Sequence, residues 1–326
     1  MTRALAMVSG GLDSILAARL IMDQGIEVIG ICFKSAFFGP ENAIRMSEQI
    51  GMELKIVDFS PEHLEMVKSP KHGYGKNMNP CIDCHAMMMN YAGKLMKELD
   101  ADFIITGEVL NQRPMSQNKA SLDLVKRESG YEEYILRPLC ALNLPPTKME
   151  VDGLVDRERL MGISGRSRKV QMELAEKWGI KDYPSPAGGC KLTEPGYAAR
   201  LKDQLGYIKD SSLEDVEILK TGRHLRLDEN TKIIATRNQE ELKALVPLIR
   251  KEDYVFDTLD CAGSTVILRG IASEEAVEFA AAICARYSKE REKDSVRVKY
   301  RHPEESRYEM IMVKPAKDEK INKYLI

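Results

Sequence analysis

The first hundred residues alternate short apolar runs with stretches in which apolar residues recur every three or four positions. Residues 4–9 and 27–33 (EVIGICF) read as buried strands, residues 54–59 as a third strand and residues 103–106 (FIIT) as a fourth. Between them, residues 13–24, with Leu16, Leu20 and Ile21 turned inward, carry the helical period, as do residues 41–50 and 86–99. Strands alternating with helices of this length predict βαβ units and a parallel sheet, hence an α/β fold that binds ligands at the carboxyl ends of its strands. Residues 135–137, just before Pro138, add a candidate fifth strand.

The texture then changes twice. Residues 138–206 hold Pro145-Pro146, a basic helical pattern around 165–178 and a Pro/Gly stretch at 183–189, which suggests a loop-rich extension of the first domain. From about residue 207, short strand patterns (216–219, 233–236, 265–268) mix with two helices (239–248, 273–287) and a closing strand pair (296–300, 308–313). The expected division is therefore a parallel-sheet domain over 1–206 and a smaller α+β domain over 207–326, with residues 314–326 as a loosely held tail.

Composition sets bounds on this picture. The chain has 326 residues, 44% hydrophobic and 30% charged, with a net charge of −2. These values fit a soluble globular protein and confine any nucleic-acid surface to a local patch. No apolar run approaches a membrane span. Residues 1–8 run straight into a glycine loop and lack the length and cleavage site of a secretion signal, so a reducing cytoplasm is expected. The seven cysteines (32, 81, 84, 140, 190, 261 and 284) are then thiols or ligands rather than disulfides.

Two constellations carry chemistry. The first is Ser9-Gly10-Gly11-Leu12-Asp13-Ser14, between the first strand and the first helix. Two glycines let backbone N–H groups approach an anion, Ser9 and Ser14 add hydroxyls, and the helix N-terminus adds a favourable dipole. Asp13 would repel a bare phosphate, which points to a Mg²⁺ between the two. No Gly-Lys-Ser/Thr follows, so this is not a Walker A loop. The second is Asn79-Pro80-Cys81-Ile82-Asp83-Cys84-His85, with Cys190 on a distant Gly/Pro loop. Two thiols at this spacing can share a metal or cluster, and a helix N-terminus stabilises thiolates. Three cysteines can hold a [4Fe–4S] cluster with one iron open. A persulfide with a resolving thiol, and a zinc ion with His85 as fourth ligand, are the alternatives.

SGGLDS resembles the SGGxDS loop of the PP-loop ATP pyrophosphatase superfamily, whose members cleave ATP between the α and β phosphates and attach AMP to a substrate oxygen. NPCIDCH resembles the NPCxxCN element of the bacterial tRNA 2-thiouridine synthetases, whose first cysteine takes part in sulfur transfer. Cys-x-x-Cys with a distant third cysteine is also similar to thiolation enzymes that carry a three-cysteine cluster. Residues 106–117, from Thr106-Gly107-Glu108 to Ser116-Gln117, resemble the TGExLGQxxSQ stretch of the tRNA 4-thiouridine synthetases, and Arg137-Pro138-Leu139 resembles the RPL of both families. His85 stands for the asparagine of NPCxxCN, and Asn111 for a glycine. The carboxyl-terminal region resembles an RNA-binding module of NFACT proteins.

The resemblance implies an ATP-dependent tRNA sulfurtransferase that adenylates a uracil carbonyl and replaces its oxygen with sulfur. Ser9, Gly10, Gly11, Asp13 and Ser14 would bind the nucleotide, with Mg²⁺ at Asp13, and adenine would lie near Phe33–Ser35 and Thr106-Gly107. Asp13, Cys81 and Cys190 are the catalytic candidates, and Cys81, Cys84 and Cys190 the cluster ligands. Gln112 and Arg113 are candidates for phosphate or RNA contact, and Arg166, Arg168 and Lys169 for RNA contact. Residues 286–326 hold 12 Lys and Arg against 8 Asp and Glu, a local excess of +4 that would grip phosphates. The implied partners are tRNA and a sulfur donor, either sulfide or a cysteine desulfurase relay, with monomer and homodimer both open. The alternative reading is a PP-loop ligase acting on a small molecule, with zinc at Cys81 and Cys84.

Overall fold

A computed structural model describes residues 2–113, 116–185 and 189–326. Part of the Pro/Gly stretch read at 183–189 therefore lies outside the described residues. The chain divides into two compact units, one ending at Thr193 and one spanning Glu194–Ile326.

The first unit runs β1 (Arg3–Met7), α1 (Leu12–Met22), β2 (Glu27–Lys34), α2 (Glu41–Gln49), β3 (Leu54–Asp58), α3 (Ser60–Lys68), α4 (Cys81–Glu98), β4 (Phe103–Thr106), α5 (Lys119–Glu128), β5 (Ile135–Leu136), α6 (Lys148–Val151) and α7 (Lys169–Lys177). Among the described residues its sheet has five strands in the order β3-β2-β1-β4-β5, every neighbouring pair parallel. The expected strands are all present, and the candidate at 135–137 is the short edge strand β5, Ile135–Leu136. A parallel sheet must be covered on both faces, which is why its strands read as unbroken apolar runs. Alternation sorts them. Ala4, Ala6 and Val8 pack on one face with Ile15 and Leu16 of α1, Met46 of α2 and Ala175 of α7. Leu5, Ile29, Ile31 and Phe33 pack on the other with Met89 and Met96 of α4 and Val125 of α5.

The chain fills one side of β1 with β2 and β3, then returns to its other side with β4. That reversal opens a crevice at the carboxyl ends of β1 and β4, where ligands of such sheets bind. The loop after β1 carries Ser9, Gly10 and Gly11, and Asp13 follows in the first turn of α1.

The second unit runs α8 (Pro195–Tyr207), α9 (Leu213–Glu217), β6 (Arg223–Arg226), β7 (Thr231–Ala235), α10 (Gln239–Leu245), β8 (Tyr254–Thr258), β9 (Val266–Gly270), α11 (Glu274–Arg286), β10 (Val296–Arg301), β11 (Glu309–Val313) and α12 (Asp318–Tyr324). Its sheet, six strands among the described residues, is antiparallel in the order β11-β10-β8-β9-β7-β6. Phe279, Ala280 and Ile283 of α11 cover one face, with Leu225, Ile233, Phe256, Leu268, Val296 and Val298 beneath them.

Two local expectations are corrected. Residues 216–219 are helical, at the end of α9 and in the 3-10 turn Ile218–Lys220. The Ser212–Asp215 capping box nucleates that helix. Residues 314–326 are no loose tail, because α12 buries Ile321 in the unit's core. Among the described residues no helix is long and apolar enough to cross a membrane.

Candidate functional site

The loop after β1 is built from close backbone approaches. Gly10 has φ +76, and a Cβ there would lie 2.5 Å from Ala43 N at the start of α2. Gly107, just past β4, would place a Cβ 2.4 Å from Ser14 N. Its smallness therefore serves the meeting of β4 with the first turn of α1, where the sequence suggested nucleotide approach. Gly11 is the N-cap of α1 and brings no side-chain cap. The first-turn amides thus keep unsatisfied donors at the carboxyl edge of the sheet, the arrangement that binds anions. Ser14 turns its hydroxyl inward and donates to Gly11 O at 2.8 Å, while Ser9 is exposed. Phe33 is buried against Phe59 and Tyr91, and Ser35 Oγ accepts from Phe37 N at 3.1 Å.

Asp13 sits in the first turn of α1 and gathers residues far away in sequence. Gln112 Nε2 donates to Asp13 Oδ2 at 2.8 Å. Gln171 Nε2, on α7, donates to Gln112 Oε1 at 3.2 Å. Arg168, the N-cap of α7, stands 3.8 Å from Asp13 Oδ1. Asp13 Oδ1, Arg168 Nε and Gln171 Oε1 are buried without a hydrogen-bond partner. A bare carboxylate oxygen on the anion loop suits a divalent cation bridging to phosphate. Of the residues read as RNA contacts, Gln112 and Arg168 turn toward Asp13, whereas Arg113, Arg166 and Lys169 are exposed. Gln171, fully buried, escaped the sequence reading. The available signal was an amide on the inward stripe of α7, at helical spacing from Leu174 and Ala175.

The cysteine site begins α4. Cys81 and Cys84 lie in its first turn, behind Pro80, earlier than the predicted start at residue 86. Asn79 Nδ2 donates to Cys81 Sγ at 3.2 Å, and Asp83 pins the preceding loop through His72 N at 2.9 Å. Burial raises the Cys84 thiol well above its ordinary value, and negative charge at Cys190 and Cys81 raises it further. The three sulfurs therefore share one neighbourhood, while Cys32, Cys140 and Cys284 are buried elsewhere. Among the described residues no three His, Cys, Asp or Glu side chains already form a metal-holding group.

A buried chain of polar groups underlies this helix end. His85 Nδ1 is 3.1 Å from Glu108 Oε1, Arg137 Nε donates to Glu108 Oε2 at 2.8 Å, and Thr106 Oγ1 donates to the same oxygen at 3.2 Å. Burial alone would push the Glu108 carboxyl up, but Arg137 and His85 hold it well below the usual range. The Thr-Gly-Glu and Arg-Pro-Leu segments thus form one structural unit, with Cys140 Sγ donating to Glu108 O at 3.4 Å. Asn111, where the related pattern has glycine, takes φ 62, a conformation asparagine tolerates better than most residues.

Comparison with known proteins follows this division. Residues 1–145 match the family model of the thiamine biosynthesis protein ThiI, and residues 222–325 match that of the NFACT protein RNA binding domain. A probable tRNA sulfurtransferase of Thermococcus kodakarensis is 29% identical over 146 residues, 43% of this chain and 38% of that protein. A tRNA-specific 2-thiouridylase MnmA 1 of Syntrophus aciditrophicus is 26% identical over 294 residues, 82% of this chain and 71% of that protein. A 4-thiouridine synthetase solved with RNA and ATP aligns at a TM-score of only 0.35 and 17% identity, over 55% of this chain and 52% of that one. The chain spans between about a third and three fifths of most of the curated relatives it matches. Its amino-terminal region is thus similar to the ThiI model and to tRNA-thiolating enzymes, and its carboxyl-terminal region is similar to the NFACT RNA binding domain.

Proposed function

We propose that the chain is an ATP-dependent tRNA sulfurtransferase. The observation that supports this most is the presence, in one unit, of an uncapped anion loop with a bare Asp13 oxygen and of three neighbouring thiols at Cys81, Cys84 and Cys190. In this reading a base carbonyl oxygen attacks the α-phosphorus of ATP and pyrophosphate leaves. A sulfur nucleophile then adds to the same carbon, and AMP departs with the original oxygen. The loop amides stabilise charge on the departing pyrophosphate, and Asp13 would hold a Mg²⁺ that supplies positive charge there. Asn79 steadies the Cys81 sulfur, and His85, locked to Glu108, fixes the helix turn that carries both thiols.

The donor set fits a [4Fe–4S] cluster, since three thiols share one neighbourhood and none is tied in a disulfide. Cys81, Cys84 and Cys190 would hold it, and its open iron would offer a site for sulfide. The sulfur donor is sulfide or a cysteine desulfurase relay. The second unit supplies RNA affinity through the outer face of β10 and β11, where Arg297, Lys299 and Arg301 stand beside Met310 and Met312. A tRNA substrate places the reaction in the cytoplasm.

Mass spectrometry of tRNA nucleosides from cells lacking the gene tests the reading. One thiolated nucleoside should vanish and return with the wild-type gene but not with Cys81→Ala. Persistence of every thiolated nucleoside would refute it. Anaerobic metal analysis tests the cluster separately: iron and sulfide support it, and stoichiometric zinc favours a structural metal.

A further inference from the structure

The network at Asp13 is unfinished, and its loose ends have definite chemistry. Arg168 and Asp13 carry opposite charges 3.8 Å apart, well beyond the roughly 2.7–2.9 Å of a charge-assisted hydrogen bond. Their side chains are only 16% and 20% exposed, so water does not readily replace the missing contact. Arg168 Nε is a donor without an acceptor. Asp13 Oδ1 and Gln171 Oε1 are acceptors without donors. Unsatisfied buried groups of this kind destabilise a fold unless something pairs them. A site that retains one donor and two acceptors is complementary to an anion together with a hydrated cation.

The amides can be oriented only one way. Asp13 Oδ2 requires an N–H, so Gln112 presents Nε2 to it and turns Oε1 away. That oxygen takes Gln171 Nε2, which leaves Gln171 Oε1 buried without a donor. Arg168 caps α7 directly beside the first turn of α1, where the loop amides point. It also lines a groove of about 740 Å³ that runs along α7 to Tyr183.

We propose that Arg168 is a ligand of the nucleotide phosphates, and that Gln112 and Gln171 are positioning residues that hold Asp13 with one oxygen free for a hydrated cation. The inference rests on the ATP reading above and moves Arg168 from an RNA contact to a nucleotide contact. A guanidinium between loop and phosphate uses its fork of donors, Nε included. Asp13 Oδ1 would hold the cation, and Gln171 Oε1 would accept from a water around it. Bound nucleotide would thereby clamp the start of α7 to the start of α1.

Calorimetric titration of the full chain with ATP, with and without Mg²⁺, and with adenosine tests this, alongside a filter-binding assay with tRNA. Arg168→Gln should weaken ATP binding at least tenfold and leave adenosine and tRNA binding unchanged, and Arg168→Lys should recover part of the loss. Gln171→Leu should leave adenosine binding intact and cut the gain in ATP affinity from Mg²⁺ severalfold. Unchanged ATP affinity with weakened tRNA binding in Arg168→Gln would overturn the proposal in favour of an RNA contact. Equal losses for ATP and adenosine would reduce the residue to a structural role. A wild-type chain that binds no ATP would overturn the sulfurtransferase reading itself, which the variants alone do not test.

Discussion

At the scale of single residues, two buried titratable groups make opposite demands on the fold. His63 is fully buried among Phe37, Phe38 and Phe59, with neither ring nitrogen hydrogen-bonded. Burial lowers its pKa from 6.5 to about 4. The unfolded chain takes up a proton below pH 6.5 that the folded chain refuses until about pH 4, so stability falls as pH drops through that window. His63→Leu removes this term and two unpaired nitrogens. The variant should unfold at higher denaturant concentration than wild type, by about 1–2 kcal/mol at neutral pH, and the gap should widen toward pH 4. Parallel pH profiles would show that the ring is not the titrating group. Glu108 makes the reverse demand, because its charge is wanted. Glu108→Ala leaves Arg137 buried, 5% exposed, without its carboxylate. A cost of about 3–5 kcal/mol is expected, whereas Glu108→Gln, which retains hydrogen bonding to His85 and Arg137, should lose less.

At the scale of elements, legibility followed burial. Strands β1, β2 and β4 were readable because a strand covered on both faces is apolar almost throughout, and the edge strand β3 was readable from Leu54, Ile56 and Val57. Helices α3 and α5 were not, since each shows a short and largely polar repeat whose inward residues, such as Leu64 or Leu122 and Val125, are few. Residues 216–219 misled because a run of four apolar-rich positions cannot tell strand from helix. The cap at Ser212 and Asp215 decided the matter from outside the run. The site divides in the same way. Ser9–Ser14 and Cys81–Cys84 are contiguous and could be read directly. Gln112 and Gln171 lie 59 positions apart, and only the packing of α7 on α1 makes them neighbours. Gly107 shows how a residue read as a nucleotide contact can be glycine for another reason. Gly107→Ala drives a methyl group into Ser14 N, so the variant should lose both thermal stability and ATP affinity. Loss of ATP affinity with an unchanged melting temperature would instead restore the direct nucleotide contact.

At the scale of the whole chain, each unit carries its own core. Phe256, Phe279, Ile283 and Val298 bury one another inside the second unit, and the sheet, β6 to β11, closes without a strand from the first. α8 also belongs there, since Tyr197 Oη donates to Val216 O at 2.9 Å, whereas the sequence reading assigned residues 194–206 to the first domain. A fragment of residues 194–326 should therefore fold alone with one cooperative transition. Its charge suits the RNA contact proposed above. Val296 and Val298 of β10 point into the core, so Arg297, Lys299 and Arg301 all emerge on the opposite face. Lys299 Nζ lies over the Tyr308 ring at 5.7 Å, and Met310 and Met312, 61% and 59% exposed, stand across from Lys299 and Arg297. Cations beside flat or soft apolar groups can grip phosphates and support stacked bases together. The fragment should bind tRNA with an affinity that falls steeply with salt. Replacing Lys299 and Arg301 with Glu should weaken binding at least tenfold and flatten the slope of log affinity against log salt by about two, one for each lost phosphate contact. A folded double variant with an unchanged slope would place the RNA surface on another face of the sheet.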